Sequence, residues 1–555
     1  MRWTRSSDRA IFAGMIAIAP KNTDNSLQTS SLGEIPNLEQ LEREIRDLRC
    51  GKNYYKSLFE KNRDKVQQQK AEIEQLNARI RYLKKRLYGR NSEKKASSEK
   101  NPSSTAPSDD NQPKSKRGQQ KGAPGHGRRD YSHLPVIDEV SELDDAFCPK
   151  CGCCYLEDPA LGTEDSEVIE IEVKAHLRKI HRKKYKKTCQ CDGIPEITTA
   201  PGAAKLVPKG KYGVSVWVHI LLEKYLYQRP INRLLESFKD IEFSAAAGTI
   251  GDGLNRIAPL FEPVSAEIIK KNQTEAHLHA DETRWLVFEF IDGKKSYRWY
   301  MWVFASKSTV VYILDPSRAA RVVEKHLKVV TVVILSVDRY SSYKSYAKDR
   351  ENVILAFCWT HVRRDFLDTS NGFEELYDWG LSWVEDIGKI FHLNNLRVAF
   401  EIGSAEFKKA DKTLRTALDV MEQRFESELT EKNQHPEKAK RLSSIKNHWQ
   451  GLQVFVDSPW IPMDNSEAER LMRLAALGRK NYYGSGSVAS GHFAASQFTI
   501  YQTLGRWLIN RRKWLTDYLQ ACADNGGRTP DDLTDFLPWL MSPGRLAELQ
   551  YPDTS

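Results

Sequence analysis

The segment between residues 276 and 359 constrains the fold of this chain most, because short apolar runs alternate there with short helical patterns. Runs rich in β-branched and aromatic residues predict buried strands, and apolar residues spaced three and four apart predict helices. The predicted strands are AHLHADET, RWLVFEFID, SYRWYMWVFAS, TVVYILDP, VVTVVILSVD and VILAFCW. The first three predict a meander, and the helices RAARVVEKHL and SSYKSYAK separate the later runs. This order predicts an α/β layer with a mixed sheet covered on both faces.

Three acidic residues lie where predicted elements begin or end. Asp281 lies in HLHADETRW, Asp338 follows the apolar run VVILSV, and Glu469 lies about one turn into the helix predicted from DNSEAERLMR. Three carboxylates gathered at one point would bind a pair of hard cations, Mg²⁺ or Mn²⁺, held roughly 3.5–4 Å apart. Such a pair stabilises both the attacking and the leaving oxygen of a phosphodiester displacement. The acids therefore indicate metal-dependent chemistry on nucleic acid.

Each acid also has a purely structural interpretation. Asp281 and Asp338 would serve as turn residues at the ends of strands. Ser466-Glu467-Ala468-Glu469 fits a capping box, in which the last glutamate accepts a hydrogen bond from a backbone N–H at the helix start. Glu467 is the alternative third acid. The argument for a site rests on the three acids together, because single acids at such positions are common.

Basic residues outnumber acidic ones, with 84 lysines and arginines against 74 aspartates and glutamates and a net charge of +10. This balance favours a polyanionic partner. One dense basic stretch is a candidate for phosphate contacts, with a solvated strand face as the alternative, and it comprises Lys174, Arg178, Lys179, Arg182, Lys183, Lys184, Lys186 and Lys187. Arginine forks match phosphate oxygens, so the basic residues after the third acid are further candidates, namely Arg470, Arg473, Arg479 and Lys480.

The cysteines predict a zinc site. Nine cysteines are too few for a disulfide scaffold in 555 residues, which indicates a reduced, intracellular protein. Cys148-Pro-Lys-Cys151 is a zinc-knuckle pair, and Cys189-Gln-Cys191 follows a hairpin predicted over EVIEIEVKAHLRKIHRKKYKKT. The hairpin would bring four thiolates together for tetrahedral, structural Zn²⁺. The second pair is one residue shorter than usual, which leaves Cys153 and Cys154 as alternative ligands and buried thiols as the alternative without metal.

A heptad repeat from Leu38 to Leu87 predicts a leucine-zipper coiled coil. The a positions are Leu38, Ile45, Phe59, Val66, Ile73, Ile80 and Leu87, and the d positions are Leu41, Leu48, Tyr55, Leu76 and Leu83. Lys52 at a, and Asn62 and Gln69 at d, break the pattern. An apolar seam of this length needs a partner helix, so we expect a homo-oligomer; a helix packed on its own protein is the alternative.

The flanking segments have simpler compositions. Residues 1–33 predict a disordered leader; AIFAGMIAIAP after three arginines is in the style of a signal peptide, and translation from Met15 is an alternative. Residues 91–135 predict a flexible, basic linker.

INRLLESFKDIEFSAAAGTIGDGL resembles a helix-turn-helix, with an ordinary helical hairpin as the alternative. No apolar run reaches the roughly 18 residues of a membrane span, so we expect no membrane association.

The predicted fold class is therefore multidomain α/β. The chain divides into a leader (1–33), a coiled coil (34–90), a linker (91–135), a zinc-binding β domain (136–200), a helical DNA-binding domain (201–268), a catalytic core (269–368), a helical insertion (369–455), the second part of the core (456–500) and a C-terminal helical tail (501–555). Four residues near the core are interpreted as packing residues, namely His277, His279, Cys358 and His361.

Several motifs together resemble the insertion-sequence 66 family of DDE-class transposases over about residues 35–520. They are YGRNSEKK, RGQQKGAPGHGRR, CPKC, HADETRW, LSVDRYSSYK, FCWTHVRRDF and DNSEAER followed by GRKNYYGSGS. The resemblance implies a ribonuclease-H-like mixed sheet, divalent metal, and Asp281, Asp338 and Glu469 as the catalytic triad. The family pattern D-N-x-x-x-E-R begins here at Asp464 and selects Glu469 over Glu467. The C-x-C pair and the segment after Ser487 depart from the family.

The function that the resemblance implies is DNA transposition. The chain would bind double-stranded DNA at the terminal inverted repeats of an insertion sequence, cut it and join it to target DNA, in the cytoplasm of a prokaryote and on the nucleoid. Small accessory proteins of the same element are candidate partners. The alternatives are a non-catalytic zinc-containing regulator, an inactive transposase, and a structure-selective nuclease that cuts without joining.

Overall fold

The computed structural model describes residues 38–88, 135–138, 150–151, 153, 169, 173–186, 188, 193, 195–292, 296–328 and 332–552. The predicted leader and nearly all of the linker lie outside these residues. So do Lys187 and three of the four predicted zinc ligands, Cys148, Cys189 and Cys191. Cys151 and Cys153 are exposed. The zinc site therefore stays a prediction. The chain divides into two compact units, residues 1–87 and 88–555.

The first unit contains one long helix, α1 (Leu38–Tyr88), of 51 residues. Its heptad positions present apolar side chains to solvent, namely Leu41, Ile45, Leu48, Tyr55, Phe59, Val66, Ile73, Leu76 and Ile80. Exposed apolar side chains along one helix are unfavourable in water. The helix itself is thus as expected, and the partner that would cover its seam stays a prediction.

A short antiparallel pair begins the second unit, β1 (Lys184–Lys186) with β2 (Ile197–Thr199). The backbone N–H of Ala200 donates to Lys183 O at 2.9 Å, and Arg182 Nε donates to Ala200 O at 2.6 Å. The strand that pairs with β1 thus follows Cys189 and Cys191, whereas the hairpin predicted from the sequence ends at Thr188. The C-x-C pair lies in the connection between the two strands, and not after them.

Four α-helices follow, and two of them continue into a turn of a different helical type. They are α2 (Val214–Leu221) continuing as a π-helical turn (Leu222–Leu226), α3 (Ile231–Asp240), α4 (Ala247–Ile257) continuing as a 3₁₀ turn (Ala258–Phe261), and α5 (Glu262–Asn272). Helices α3 and α4 occupy the segment that predicted a helix-turn-helix. The connection between them, residues 241–246, is six residues long, whereas the turn of that motif has about three or four.

A six-stranded mixed sheet forms the centre of this unit, in the order β5-β4-β3-β6-β7 with β8 added to β3. The strands are β3 (His277–Val287), β4 (Arg298–Ala305), β5 (Val310–Asp315), β6 (Val333–Val337), β7 (Val353–Phe357) and β8 (Gly484–Ser485). β3, β4 and β5 form the antiparallel meander, and β6 and β7 run parallel to β3. The predicted mixed sheet is confirmed. HADET and RWLV form one strand and not two, because no turn residue separates them and β4 pairs along both.

The remaining helices are α6 (Ala320–His326), α7 (Ser341–Ala347), α8 (Trp359–Gly372), α9 (Tyr377–Val398), α10 (Ala405–Leu429), α11 (Pro436–Leu452), α12 (Val454–Asp457), α13 (Ser466–Tyr482), α14 (Val488–Arg506), α15 (Arg511–Asp524) and α16 (Pro543–Leu549). The predicted insertion, residues 369–455, consists of helices joined by short connections, the longest being residues 399–404 and 430–435. Within the described parts of the chain, every helix is too short or too polar to cross a membrane.

Two hydrophobic cores cover the two faces of the sheet. Trp285 lies in the core shared with α2 to α5, α13, α14 and α15, and Trp302 in the core shared with α6 to α11. Residues predicted as a separate helical domain and as a C-terminal tail therefore pack in the first core. Tyr518 of α15, for example, is fully buried and donates a hydrogen bond to Leu260 O.

Candidate active site

Asp281 and Asp338 lie side by side on neighbouring strands. β3 and β6 pair in parallel with His277 opposite Ile334 and His279 opposite Ser336. Two residues further along the same register, Asp281 of β3 is level with Asp338, which directly follows β6. The Oδ1 atom of Asp338 also accepts a hydrogen bond from Tyr340 N–H at 2.9 Å, so this residue caps its turn as well.

The carboxyl group of Asp281 is mostly buried, and its burial raises its pKa to about 8. The negative charges of Glu282, Asp338 and Glu469 contribute to this rise of the pKa, and a hydrogen bond of 2.8 Å from Glu282 N–H to Oδ1 opposes it. Like charges raise a carboxyl pKa only when they are close. The three acids that the sequence singled out are thus gathered at one end of the sheet.

Glu469 is held in the first turns of α13 without a hydrogen-bond partner on one oxygen. The N-cap of α13 is Asn465, whose side chain does not cap the helix, and the N–H of Ser466, the first helical residue, donates to Asp464 Oδ1 at 2.9 Å and not to Glu469. The Oε1 atom of Glu469 is buried and accepts no hydrogen bond among the described residues. The capping-box interpretation is therefore wrong, and this carboxylate is free to bind something else.

Glu467, the alternative third acid, is already neutralised by two arginines. It pairs with Arg470 and, at 2.5 Å, with Arg506 Nη2. Burial would raise its pKa, but the two arginines outweigh burial and hold that pKa below its usual value. An acid with two cationic partners has little capacity left for a metal ion. The geometry therefore favours Glu469.

Asn465 connects the helix that bears Glu469 to the strand that bears Asp281. It is almost fully buried, and its Nδ2 donates to Ala280 O at 2.8 Å. Its Oδ1 lies 2.9 Å from His279 Nδ1, and its backbone N–H donates to Cys358 Sγ at 3.2 Å. His279 and Cys358 are thus packing residues, as expected. They and Asn465 fix the start of α13 against the residue before Asp281.

The family model "Transposase IS66 family" matches residues 209–492, about half of the chain, and the matched span contains all three acids. The chain belongs to the IS66 family of transposases. Two proteins of Sinorhizobium fredii (strain NBRC 101917 / NGR234) are similar along most of it. Uncharacterized protein y4jD is 28% identical over 508 residues, covering 85% of this chain and 96% of that protein. Uncharacterized protein y4hP is 24% identical over 417 residues, covering 71% and 73%.

His361 of this IS66-family chain lies in the site, although the sequence suggested only packing. Its Nε2 is 3.4 Å from Glu469 Oε1, and its buried Nδ1 has no hydrogen-bond partner among the described residues. Burial lowers its pKa, while Glu469 and Asp338 raise it. The sequence signal was its place in FCWTHVRRDF, in the first turn of α8 directly after β7, where the parallel strands end.

Glu282 is a second residue that the sequence analysis missed. Successive strand residues point to opposite faces, so Glu282 faces away from Asp281. It accepts hydrogen bonds from Tyr343 Oη at 2.7 Å and Arg318 Nε at 2.6 Å. Burial raises its pKa, and these two partners oppose that shift. Arg318 also stacks on Tyr340, 3.7 Å from the ring centre, and so connects the sheet to the turn after Asp338.

The predicted phosphate-binding residues of this IS66-family chain differ in their surroundings. Arg470 is paired with Glu467, and Arg479 Nη1 donates to Arg284 O at 2.7 Å and Thr283 Oγ1 at 3.1 Å, which ties α13 to β3. Arg473 and Lys480 are exposed. The described residues of the basic stretch are all exposed, namely Lys174, Arg178, Lys179, Arg182, Lys183, Lys184 and Lys186.

Proposed function

We propose that the chain is the transposase of an insertion sequence, which binds the terminal inverted repeats of that element and catalyses DNA cleavage and strand transfer. The observation that carries this proposal is the gathering of Asp281, Asp338 and Glu469 at one end of the sheet. The family supports the reaction class. The strand order, an antiparallel meander followed by two parallel strands, supports a ribonuclease-H-like core.

The three carboxylates fit a pair of Mg²⁺ or Mn²⁺ ions. All donors are oxygens, as hard cations prefer. The raised pKa of Asp281, and a Glu469 Oε1 that accepts no hydrogen bond among the described residues, both support a site that lacks positive charge. When bound, the metal ions would neutralise charge on the attacking and leaving oxygens of the phosphodiester and activate water.

The residues of the chain would hold and shape this site. Asp281 and Asp338 would bind from the rigid sheet, and Glu469 from α13, which Asn465 fixes against β3. Water attacks first and leaves a 3′-hydroxyl, which then attacks target DNA, so that no covalent protein intermediate forms. Serine and tyrosine recombinases instead need a protein hydroxyl as nucleophile.

The other parts of the proposal rest on sequence. Cys148, Cys151, Cys189 and Cys191 would bind structural Zn²⁺. The basic stretch beside them, together with Arg473 and Lys480, would contact phosphates of double-stranded DNA. The heptads of α1 would join copies of the chain.

Incubation of the full chain with labelled element-end DNA and Mg²⁺ tests the proposal. We expect both nicks and joined products. Asp281→Asn should abolish both, because the amide cannot replace a charged ligand, and should leave binding to end DNA intact. Nicks without joining would indicate the nuclease, and binding without nicks the regulator.

Two further measurements keep this test specific. Glu467→Gln changes an acid on the same helix that already has two arginine partners, so this variant should still cut. Mg²⁺ should raise the unfolding temperature of the unmodified chain, because binding to the folded state stabilises it, and should have little effect on Asp281→Asn. If Asp281→Asn cuts as well as the unmodified chain, the triad is wrongly assigned.

A further inference from the structure

Exposed aromatic side chains cluster at the end of the β3–β4 hairpin where the chain turns from one strand to the other. Phe288 is 48% exposed, Phe290 82% and Tyr297 51%, and the rings of Phe288 and Tyr297 lie 6.0 Å apart. Large aromatic side chains are usually buried, and a group of exposed ones marks an interaction surface. We call Phe288, Phe290 and Tyr297, with Arg284 and Arg298, the hairpin patch.

The two arginines give the hairpin patch a positive charge that no ion pair among the described residues neutralises. Arg284 precedes Phe288 by four residues on β3, and Arg298 pairs with Leu286 between them, so all three share one face of the sheet. Both arginines are exposed and form no ion pair within the described parts of the chain. Two acids lie between Phe288 and Tyr297. Glu289 is engaged elsewhere, since its Oε2 accepts a hydrogen bond of 2.6 Å from Val488 N–H, and Asp292 is exposed.

Aromatic rings beside unpaired arginines match one class of ligand better than others. Unpaired bases stack on aromatic rings whatever their sequence, and arginines contact the phosphates between them. An apolar protein partner would leave both arginines without a counter-charge. We propose that the hairpin patch binds unpaired nucleotides of the DNA substrate. This inference rests on the proposed function only for the identity of that substrate.

The distance along the chain relates the hairpin patch to Asp281. Asp281 lies on β3 and Phe288 directly follows Val287, the last residue of that strand, so the two are seven residues apart, which corresponds to about 23 Å at ~3.3 Å per residue. A duplex rises ~3.4 Å per base pair, so this distance spans about seven base pairs. Seven is an odd number of residues, so Phe288 continues the face of Glu282 and not that of Asp281. The patch would therefore hold DNA that has opened about seven base pairs from the reacting phosphate and reaches the other face of the hairpin, and not the phosphate itself.

Binding without divalent metal tests the patch separately from catalysis. The probes are a labelled duplex of arbitrary sequence with a single-stranded oligothymidine extension and the same duplex with blunt ends, each titrated with the full chain in fluorescence anisotropy. We expect tighter binding of the extended duplex. The double variant Phe288→Ala, Tyr297→Ala should bind the extended duplex roughly tenfold more weakly, with blunt-end binding unchanged.

Matched variants distinguish a loss of base stacking from a general disruption of the protein. Phe288→Tyr keeps a ring and should retain the preference, and Tyr551→Ala removes a similarly exposed tyrosine (49%) far along the chain and should also retain it. Arg298→Ala should weaken binding to both probes and reduce its salt dependence, whereas Arg528→Ala, at another exposed arginine, should not.

Three results would overturn the inference. One is an unmodified chain without preference for the extension. Another is an alanine double variant that keeps this preference or loses blunt-end binding equally. The third is a change in oligomeric state of the double variant by sedimentation, which would make the patch an interface between copies. These binding measurements contain no divalent metal and involve no DNA cleavage, so a failure of the proposed catalysis leaves their outcomes unaffected.

Discussion

Single residues decide how well the third acid is held, and Asn465 is the main example. Its side chain bonds to the backbone of β3 beside Asp281 and to His279, while its backbone bonds to Cys358. A one-residue shift of α13 would break all three contacts. We therefore regard Asn465 as a positioning residue for Glu469.

Replacement of Asn465 tests this role. Asn465→Ala should lower the free energy of unfolding by about 1–3 kcal/mol, since Ala280 O and His279 lose a buried partner. It should also reduce DNA nicking more than tenfold at saturating Mg²⁺ without weakening DNA binding. The control is Asn481→Ala at the other end of α13, which loses one hydrogen bond of 2.8 Å to Gln228 O. If both variants cut equally well, Asn465 has only a structural role.

Lys224 is a partly buried cation without an acidic partner among the described residues. Burial lowers its pKa from 10.5 to about 8, and its ammonium group lies 4.7 Å from the ring centre of Tyr482. The unfolded chain binds this proton more tightly than the folded one. The destabilisation is therefore full below pH 8 and decreases as pH rises from 8 towards 10.5.

Lys224→Met should therefore stabilise the fold in a pH-dependent way. We expect the free energy of unfolding at pH 7 to rise by about 2 kcal/mol, reduced somewhat by the lost cation–π contact. The gain should shrink between pH 8 and pH 10 in urea titrations. A gain that is constant with pH would indicate better packing and not a relieved charge.

The residues of the site were only partly predictable from sequence. Asp281 and Asp338 could be placed because apolar runs locate strand ends, and parallel neighbours bring those ends together. The sequence left Glu469 ambiguous between a capping residue and a ligand, because the partner of the first backbone N–H of α13, which is Asp464, cannot be read from the pattern. His361, Glu282 and Asn465 act through contacts with residues far away in the chain, which periodicity does not encode.

The helices and strands followed the sequence patterns closely, but the way in which they pack together could not be predicted from those patterns. The local patterns predicted the helices of the insertion and the two helices α3 and α4. They did not reveal that α15 packs against α2. Nor did they reveal that the partner of β1 is β2, which follows the second cysteine pair in the chain. Both arrangements depend on long-range contacts. Helix α4 illustrates such a contact, because it approaches Trp217 of α2 at Gly253.

The approach of α4 to α2 predicts opposite effects for two glycines on one helix. A Cβ at Gly253 would lie 1.9 Å from Trp217 Cη2, whereas one at Gly251 would meet nothing within 4 Å. Gly253→Ala should therefore destabilise the protein by about 1–3 kcal/mol, through overpacking. Gly251→Ala should stabilise it by up to about 1 kcal/mol, through helix propensity. Equal effects in chemical unfolding would mean that the two helices are not in close contact.

At the scale of the whole molecule, the two units differ in how their apolar surface is covered. The second unit buries two cores against one sheet. Helix α1 instead exposes an apolar residue at most of its a and d positions. A transposase must bring DNA ends together, so a seam that joins copies would serve the proposed reaction directly.

Charged residues in that seam should therefore separate the copies. The variant Val66→Asp, Ile73→Asp places two charges at consecutive a positions, where like charges from partner helices would meet without water. We expect it to sediment as a monomer and to lose strand transfer. The control Gln67→Asp, Gln68→Asp adds two charges of the same kind at b and c positions, both exposed, and should retain the oligomer. Should both variants sediment like the unmodified chain, another surface joins the copies, and the heptads serve a different purpose.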